Sequence, residues 1–259
     1  MEEIIKLRQE YKDSPCFETR QNLASRLIKE GREAQDRAEK ISYFSQAVEL
    51  FEENYRKNPQ YETRRLLCNA YAHLAEYSET SSISGTVSEA KRLYTKVIGL
   101  YEINVFENPC VDTRLSLSRL YRRMIFIIDD TTPEGLEEVK QLYHKKLLLD
   151  ETNYSEKFDK ATIDELGATY NALVTISFKE KSPDAVAERE KWLTKALSFR
   201  EKNFRKNPHS HFAKMALVKA YNELARHEKS KGTPEGKEKA DLLQKKINEI
   251  IDKPSKAVY

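Results

Sequence analysis

The chain has 259 residues, of which 39% are hydrophobic, 34% charged and 10% aromatic. Its formal net charge of +3 is too small to draw in nucleic acid or an anionic membrane by field alone, and the aromatic content at regular apolar spacing excludes a disordered chain. Three cysteines, Cys16, Cys68 and Cys110, form no CxxC pair, so no disulfide or metal framework is expected, and a reducing, cytoplasmic setting is.

From the N-terminus, Met1-Glu2-Glu3-Ile4-Ile5-Lys6 reads as an acidic helix start without a secretory pattern. Helices are predicted at roughly 2–13, 16–36, 38–57, 60–79, 86–107, 110–129, 134–156, 159–179, 184–206, 209–229 and 234–252, eleven in all. Glycine and proline, poor in helix interiors, fall between these segments. Asn58-Pro59, Asn108-Pro109 and Asn207-Pro208 close three helices, because the residue before proline is pushed out of helical geometry. Thr132-Pro133-Glu134, Ser182-Pro183-Asp184 and Thr233-Pro234-Glu235 open three others, each with a capping hydroxyl, a proline without an amide and an acid suited to the helix dipole. Ser84-Gly85 takes the same slot once. The longest apolar run, Met124-Ile125-Phe126-Ile127-Ile128, is far short of a membrane span, and no membrane partner is expected.

The segments repeat with a period of about 50 residues. Leu50-Phe51-Glu52-Glu53-Asn54-Tyr55, Leu100-Tyr101-Glu102-Ile103-Asn104-Val105, Leu149-Asp150-Glu151-Thr152-Asn153-Tyr154 and Phe199-Arg200-Glu201-Lys202-Asn203-Phe204 align. The next helix of three copies opens with Glu18-Thr19-Arg20, Glu62-Thr63-Arg64 or Asp112-Thr113-Arg114. Leu67, Leu117, Leu166 and Leu217 follow, then mostly small residues (Cys68, Ser118, Gly167, Val218), and then Tyr71, Tyr121, Tyr170 and Tyr221. These three- and four-residue steps make one apolar stripe per helix. The repeated asparagines are read as structural, since one per repeat at constant register suits a buried amide paired at an interhelical turn.

Around Asn69-Ala70-Tyr71-Ala72-His73-Leu74 and Lys219-Ala220-Tyr221-Asn222-Glu223-Leu224 the pattern resembles the first helix of a tetratricopeptide repeat. Ala47, Phe51 and Pro59 resemble the second. The resemblance implies an all-α fold in which antiparallel helix pairs stack into a right-handed superhelical solenoid. It implies one domain over 1–259, with repeats at roughly 1–37, 38–85, 86–133, 134–183 and 184–233 and a capping helix at 234–252. The repeats depart from the family's usual 34 residues, and the surplus is read as longer helices.

By the same resemblance the helices after each proline line a concave face. The candidate binding residues there are Arg65, Asn69, His73, Arg119, Arg122, Arg123, Asn171, Lys219 and Asn222, with Asp164 and Met215 beside them. Guanidinium forks and side-chain amides suit an acidic peptide, so the expected function is a scaffold or peptide-binding module. The alternative is a regulatory module responsive to a ligand or peptide. The family's chaperone-binding carboxylate clamp is matched only by Arg65 and Asn69; Ser116, Ala161 and Glu165 stand where its other polar residues belong. No P-loop, HExxH, GxSxG or dinucleotide-binding turn occurs, and no catalytic residue, cofactor or metal is expected. His209 and His211 read as exposed turn residues. Ile4, Ile5 and Leu7 at the first helix have little to cover them, so a homodimer through a chain end is a further expectation. Ala240, Leu243, Ile247 and Ile250 give the last helix a face to cap the stack.

Overall fold

The computed structural model of the protein describes residues 2–79, 84–180 and 183–252. Among these residues it forms eleven α-helices and no strand: α1 (Glu2–Asp13), α2 (Phe17–Glu33), α3 (Arg37–Lys57), α4 (Tyr61–Glu79), α5 (Ser84–Glu107), α6 (Val111–Phe126), α7 (Pro133–Glu156), α8 (Lys160–Ser177), α9 (Pro183–Lys206), α10 (His211–Ser230) and α11 (Pro234–Asp252). Each lies within a few residues of the helix the sequence predicts. The main differences are at ends: α2 stops at Glu33 because Asp36 caps α3, accepting from Glu39 N at 2.9 Å, and α10 starts at His211 because Ser210 accepts from Ala213 N at 3.2 Å. The expected proline-side caps at Thr132 and Thr233 form, each hydroxyl accepting a backbone amide two residues beyond the proline at 3.1 Å. The caps expected at Ser182 and at the Ser84-Gly85 side chains, and the tail after Asp252, lie outside the described residues.

The helices divide into two compact units, residues up to Leu142 and residues from Tyr143 onward, with the division inside α7. In the first unit each of α1 to α5 packs on the helix that follows it; in the second, α8 to α10 do the same. This is an all-α solenoid of helix pairs, in which each element buries its apolar stripe against its neighbours in sequence. Leu23, Leu27, Phe44, Phe51, Leu67, Tyr94, Val97 and Leu117 fill the first unit. Leu166, Tyr170, Leu173, Trp192, Leu193 and Phe199 fill the second, and Ala240 and Ile247 of α11 are buried as the capping face predicts. Burial of each such side chain contributes about 1.5–3 kcal/mol. The first helix is better covered than expected: Ile4 is buried where α1 packs on α2, while Ile5 stays 64% exposed.

Two side-chain devices recur with the repeat. In the four repeats after the first, a tyrosine donates its phenol to the glutamate of the preceding helix. Tyr71 thus bonds Glu52, Tyr121 bonds Glu102 at 2.7 Å, Tyr170 bonds Glu151 at 2.7 Å and Tyr221 bonds Glu201. Lys96 and Lys195 add a cation beside two of these pairs, 3.6 Å from Glu52 and 3.5 Å from Glu151. Burial, reinforced by the carboxylate, raises all four tyrosine pKa values, which keeps the phenols as donors. The second device is a threonine clasp at the turn. Thr19, Thr63, Thr113 and Thr162 each donate to a carbonyl five residues back, at 2.5–2.8 Å, just past the end of the preceding helix. One hydroxyl thereby satisfies a carbonyl that the helix end leaves unpaired and fixes the register of the next helix.

Candidate functional site

The asparagines expected to be structural are buried, and the first two receive an arginine that follows a clasp threonine. Arg20 Nε donates to Asn54 Oδ1 at 2.7 Å, and Asn54 Nδ2 donates to the Phe17 carbonyl at 3.1 Å. Arg64 Nη1 donates to Asn104 Oδ1 at 2.9 Å and to Glu107 at 2.7 Å. Asn104 Nδ2 has no hydrogen-bond partner among the described residues; for Asn54 the backbone role was legible in the sequence. The arginine was not, although Thr19-Arg20 and Thr63-Arg64 carried the signal, because its partner lies 34 or 40 residues away.

In the first unit the structure gathers five of the candidate binding residues. Asn69, His73, Arg119, Arg122 and Arg123, with Glu76, Tyr94, Tyr101 and Ser116, line a pocket of about 290 Å³. Tyr101 forms part of its wall, and burial pushes its pKa up to about 12. Arg123 is tied to Glu76 at 3.0 Å. His73 stacks on Phe44, ring centroids 5.1 Å apart, and its Nε2 lies 2.8 Å from Arg32 Nη2. Burial and then that guanidinium lower its pKa, so the imidazole is an acceptor here. Arg65 is not among the residues lining this pocket; its Nε donates to Glu62, one helical turn back, at 3.0 Å.

In the second unit Asn171 and Lys219 come together with Arg200, Phe212, Met215 and Glu223 around a pocket of about 430 Å³. Asn222 is turned to its own helix, donating to the Val218 carbonyl at 3.0 Å. Arg200, which the sequence reading passed over because it sits at a core register, is the residue of most chemical interest. Its guanidinium lies against Gly167, where a Cβ would come within 2.7 Å of Nη2. It lies over the Phe199 ring, 5.0 Å from its centre, but no hydrogen bond or ion pair holds it among the described residues, and burial lowers its pKa against the pull of Glu223 and Asp164. Glu165, at one of the mismatched clamp positions, is engaged with buried Lys146 at 3.0 Å.

One further cluster in this unit has ligating chemistry. Glu190, His227 and Glu228 bring one ligand atom each within 4.8 Å of one another, and both ring nitrogens of buried His227 lack a hydrogen-bond partner. Lys231 Nζ already stands between the carboxylates, 2.7 Å from Glu190 and 2.9 Å from Glu228, so a metal ion would have to displace an ammonium. The cysteines are free: Cys68 is buried, which pushes its thiol up to about 12, and Cys16 and Cys110, at the starts of α2 and α6, are lowered by hydrogen bonds from Thr19 and Thr113. No helix among the described residues is long and apolar enough to cross a membrane.

No protein-family model matches the chain, and no curated protein matches it in sequence. Among solved structures it is similar to BtubC from P. vanneervenii, at 15% identity and a TM-score of 0.50, over 96% of this chain and 86% of that one. It also aligns over 95% of its length, and 96% of the other chain, with the de novo designed helical repeat protein DHR64, at 12% identity and a TM-score of 0.24. The first likeness speaks to the fold alone, that of an all-α helical-repeat solenoid; the second is too weak to add to it.

Proposed function

We propose that the protein is a tetratricopeptide-like interaction module that holds an acidic peptide segment of another protein, and that it works by binding rather than catalysis. The observation that carries this reading is Arg200. A half-buried guanidinium without a hydrogen bond or ion pair is costly, and this one faces a pocket that also offers Asn171 and Lys219. An incoming carboxylate would accept both guanidinium forks, with Phe212 and Met215 covering an apolar neighbour. The pocket of the first unit has the same sense of charge, three arginines against Glu76. The free, exposed thiols of Cys16 and Cys110 go with a reducing, cytoplasmic setting.

The test is a titration of the full chain with an N-acetylated, amidated Asp-Leu-Glu-Leu peptide and its Asn/Gln analogue, followed by calorimetry. The acidic peptide should bind at least about ten-fold more weakly to Arg200→Gln, the loss of one charge-assisted contact, and more weakly again when Arg119, Arg122 and Arg123 are also changed to Glu. Equal binding of the acidic and neutral peptides, or equal binding by all three proteins, sinks the reading.

A further inference from the structure

The first unit shows twice what chemistry fits behind a clasp threonine. Arg64 leaves α4 one residue after Thr63 and ends on Asn104 Oδ1 and Glu107 of α5. Arg20 likewise leaves α2 after Thr19, ends on Asn54 Oδ1, and sits 3.4 Å from the Pro15 carbonyl of its own turn and 3.0 Å from Glu53. In the second unit Thr162 makes the same clasp, with its hydroxyl 2.6 Å from the Lys157 carbonyl and 3.1 Å from that of Asp159, so the register is the same. The residue after it is Ile163, and the asparagine the arginine would reach is Asn203, forty residues on as Asn104 is from Arg64.

Isoleucine is too short to fill that space. Asn203 is only 3% exposed, and its Oδ1 accepts one hydrogen bond, from Asn207 Nδ2 of its own helix at 3.0 Å. Beside it opens a cavity of about 750 Å³ whose walls include Phe158, Ile163, Asp164, Asn203, Asn207 and Phe212. The carbonyl of Phe158 stands where those of Pro15 and Pro109 accept Arg20 and Arg114, at 3.4 and 2.6 Å.

We propose that this cavity is an open arginine socket, which takes the arginine side chain of a partner protein in place of the internal arginine the repeat has lost. The guanidinium would donate to the second lone pair of Asn203 Oδ1 and to the Phe158 carbonyl, with Asp164 as its counter-charge. Its stem would lie along Ile163 and the 66% exposed ring of Phe212. A planar fork of five donors suits dispersed amide and carbonyl acceptors, where a lysine ammonium does not. Two cations oppose it. Lys160 lines the cavity, and Lys206 holds the position of Glu107, its Nζ 3.9 Å from the centre of the Phe158 ring. Asp159 is already engaged by Lys157 at 3.0 Å and by the Thr162 amide.

Those opposing charges provide the test. N-acetyl-arginine amide is titrated into the full chain at fixed ionic strength, with N-acetyl-lysine amide as control, and followed by the NMR signals of the Asn203 amide and the Ile163 methyl groups. The expected result is a saturable shift with the arginine compound and a much weaker one with lysine. Lys206→Glu, a surface change, should tighten binding about two- to five-fold, in the range of exposed ion pairs. Adding Ile163→Arg to Lys206→Glu rebuilds the arrangement around Arg64 and should abolish it. No saturable shift, equal binding of lysine, unchanged affinity in Lys206→Glu, or undiminished binding by a folded double variant each overturns the proposal. Should the double variant fail to fold, the single Lys206→Glu change still decides. Arg200→Gln takes a competing cation from Asp164 and should not weaken arginine binding, whereas it weakens the acidic peptide, so the acidic-peptide reading and this one fail separately.

Discussion

The two units place different side chains at equivalent repeat positions, and their surfaces differ accordingly. In the first, Phe51 and Tyr101 occupy a core register; in the second, Asp150 and Arg200 do. Asp150 is fully buried and answered, by Lys146 at 2.8 Å and the Thr169 hydroxyl at 2.6 Å, whereas Arg200 is left facing a pocket. In the first unit arginines close the junctions from within; in the second Ile163 leaves the equivalent place open. The repeat therefore separates two tasks. Positions that carry the stack keep their apolar or clasped identity, and positions whose internal partner has been lost become available to something else, because a polar group buried without a partner is unfavourable until one arrives.

The comparison is broken most forcefully at the asparagines. Asn104→Ala leaves buried Arg64 without one of its acceptors and should cost about 1.5–3 kcal/mol, the range for hydrogen bonds to charged groups. Asn203→Ala removes only an amide pairing and should cost about 1 kcal/mol or less. Urea unfolding, with hydrogen exchange to assign the loss to α4–α5 or to α9–α10, checks this; equal costs would mean the arginine contributes nothing to the filled junction.

The glycines give the next contrast. At Gly31 a Cβ would meet the Phe44 ring at 2.8 Å, and that ring is fixed by stacking on His73 and Tyr77 at 5.1 and 5.4 Å. Gly31→Ala should destabilise by about 1–2 kcal/mol through overpacking, partly offset by the better helix propensity of alanine. At Gly167 the obstacle is the far end of the Arg200 side chain, which can swing away. Gly167→Ala should leave the melting temperature nearly unchanged while weakening the acidic peptide. A large drop in melting temperature for Gly167→Ala would show that the guanidinium is held more firmly than its contacts indicate.

The smallest effect is pH dependence, and it should appear in both units. His73 and His227 are both lowered by burial, then by Arg32 and Lys231 respectively. Glu190, Glu228 and Arg189 also face His227, the two glutamates pulling the other way. Because the folded pKa lies below the ordinary 6.5, the unfolded chain takes up its proton first as pH falls. The stability these residues contribute is thus complete above about pH 6.5 and is lost as pH drops through the lower folded value. Urea midpoints at pH 7.5 and 5.5 measure it, and His73→Gln or His227→Gln should each flatten the difference; a difference unchanged in both variants assigns it to the carboxylates.

The sequence by itself determined the eleven helices, their order and the repeat register, because those depend on interactions within one helical turn: the apolar stripe, the cap hydroxyls, the residue before proline. It also marked Asn69 and His73 on one helix and the three arginines on another as candidates, which the structure brings around one pocket. Only the tertiary structure decided which polar groups are already answered. Arg65 is taken by Glu62, Arg123 by Glu76 and Asn222 by the Val218 carbonyl, while Arg200 and the Ile163 cavity are not filled. Such pairings join residues in different helices or depend on which way a side chain turns, and they follow from how closely two helices approach. Gly167 sets that distance for Arg200, and no periodicity in one dimension records it.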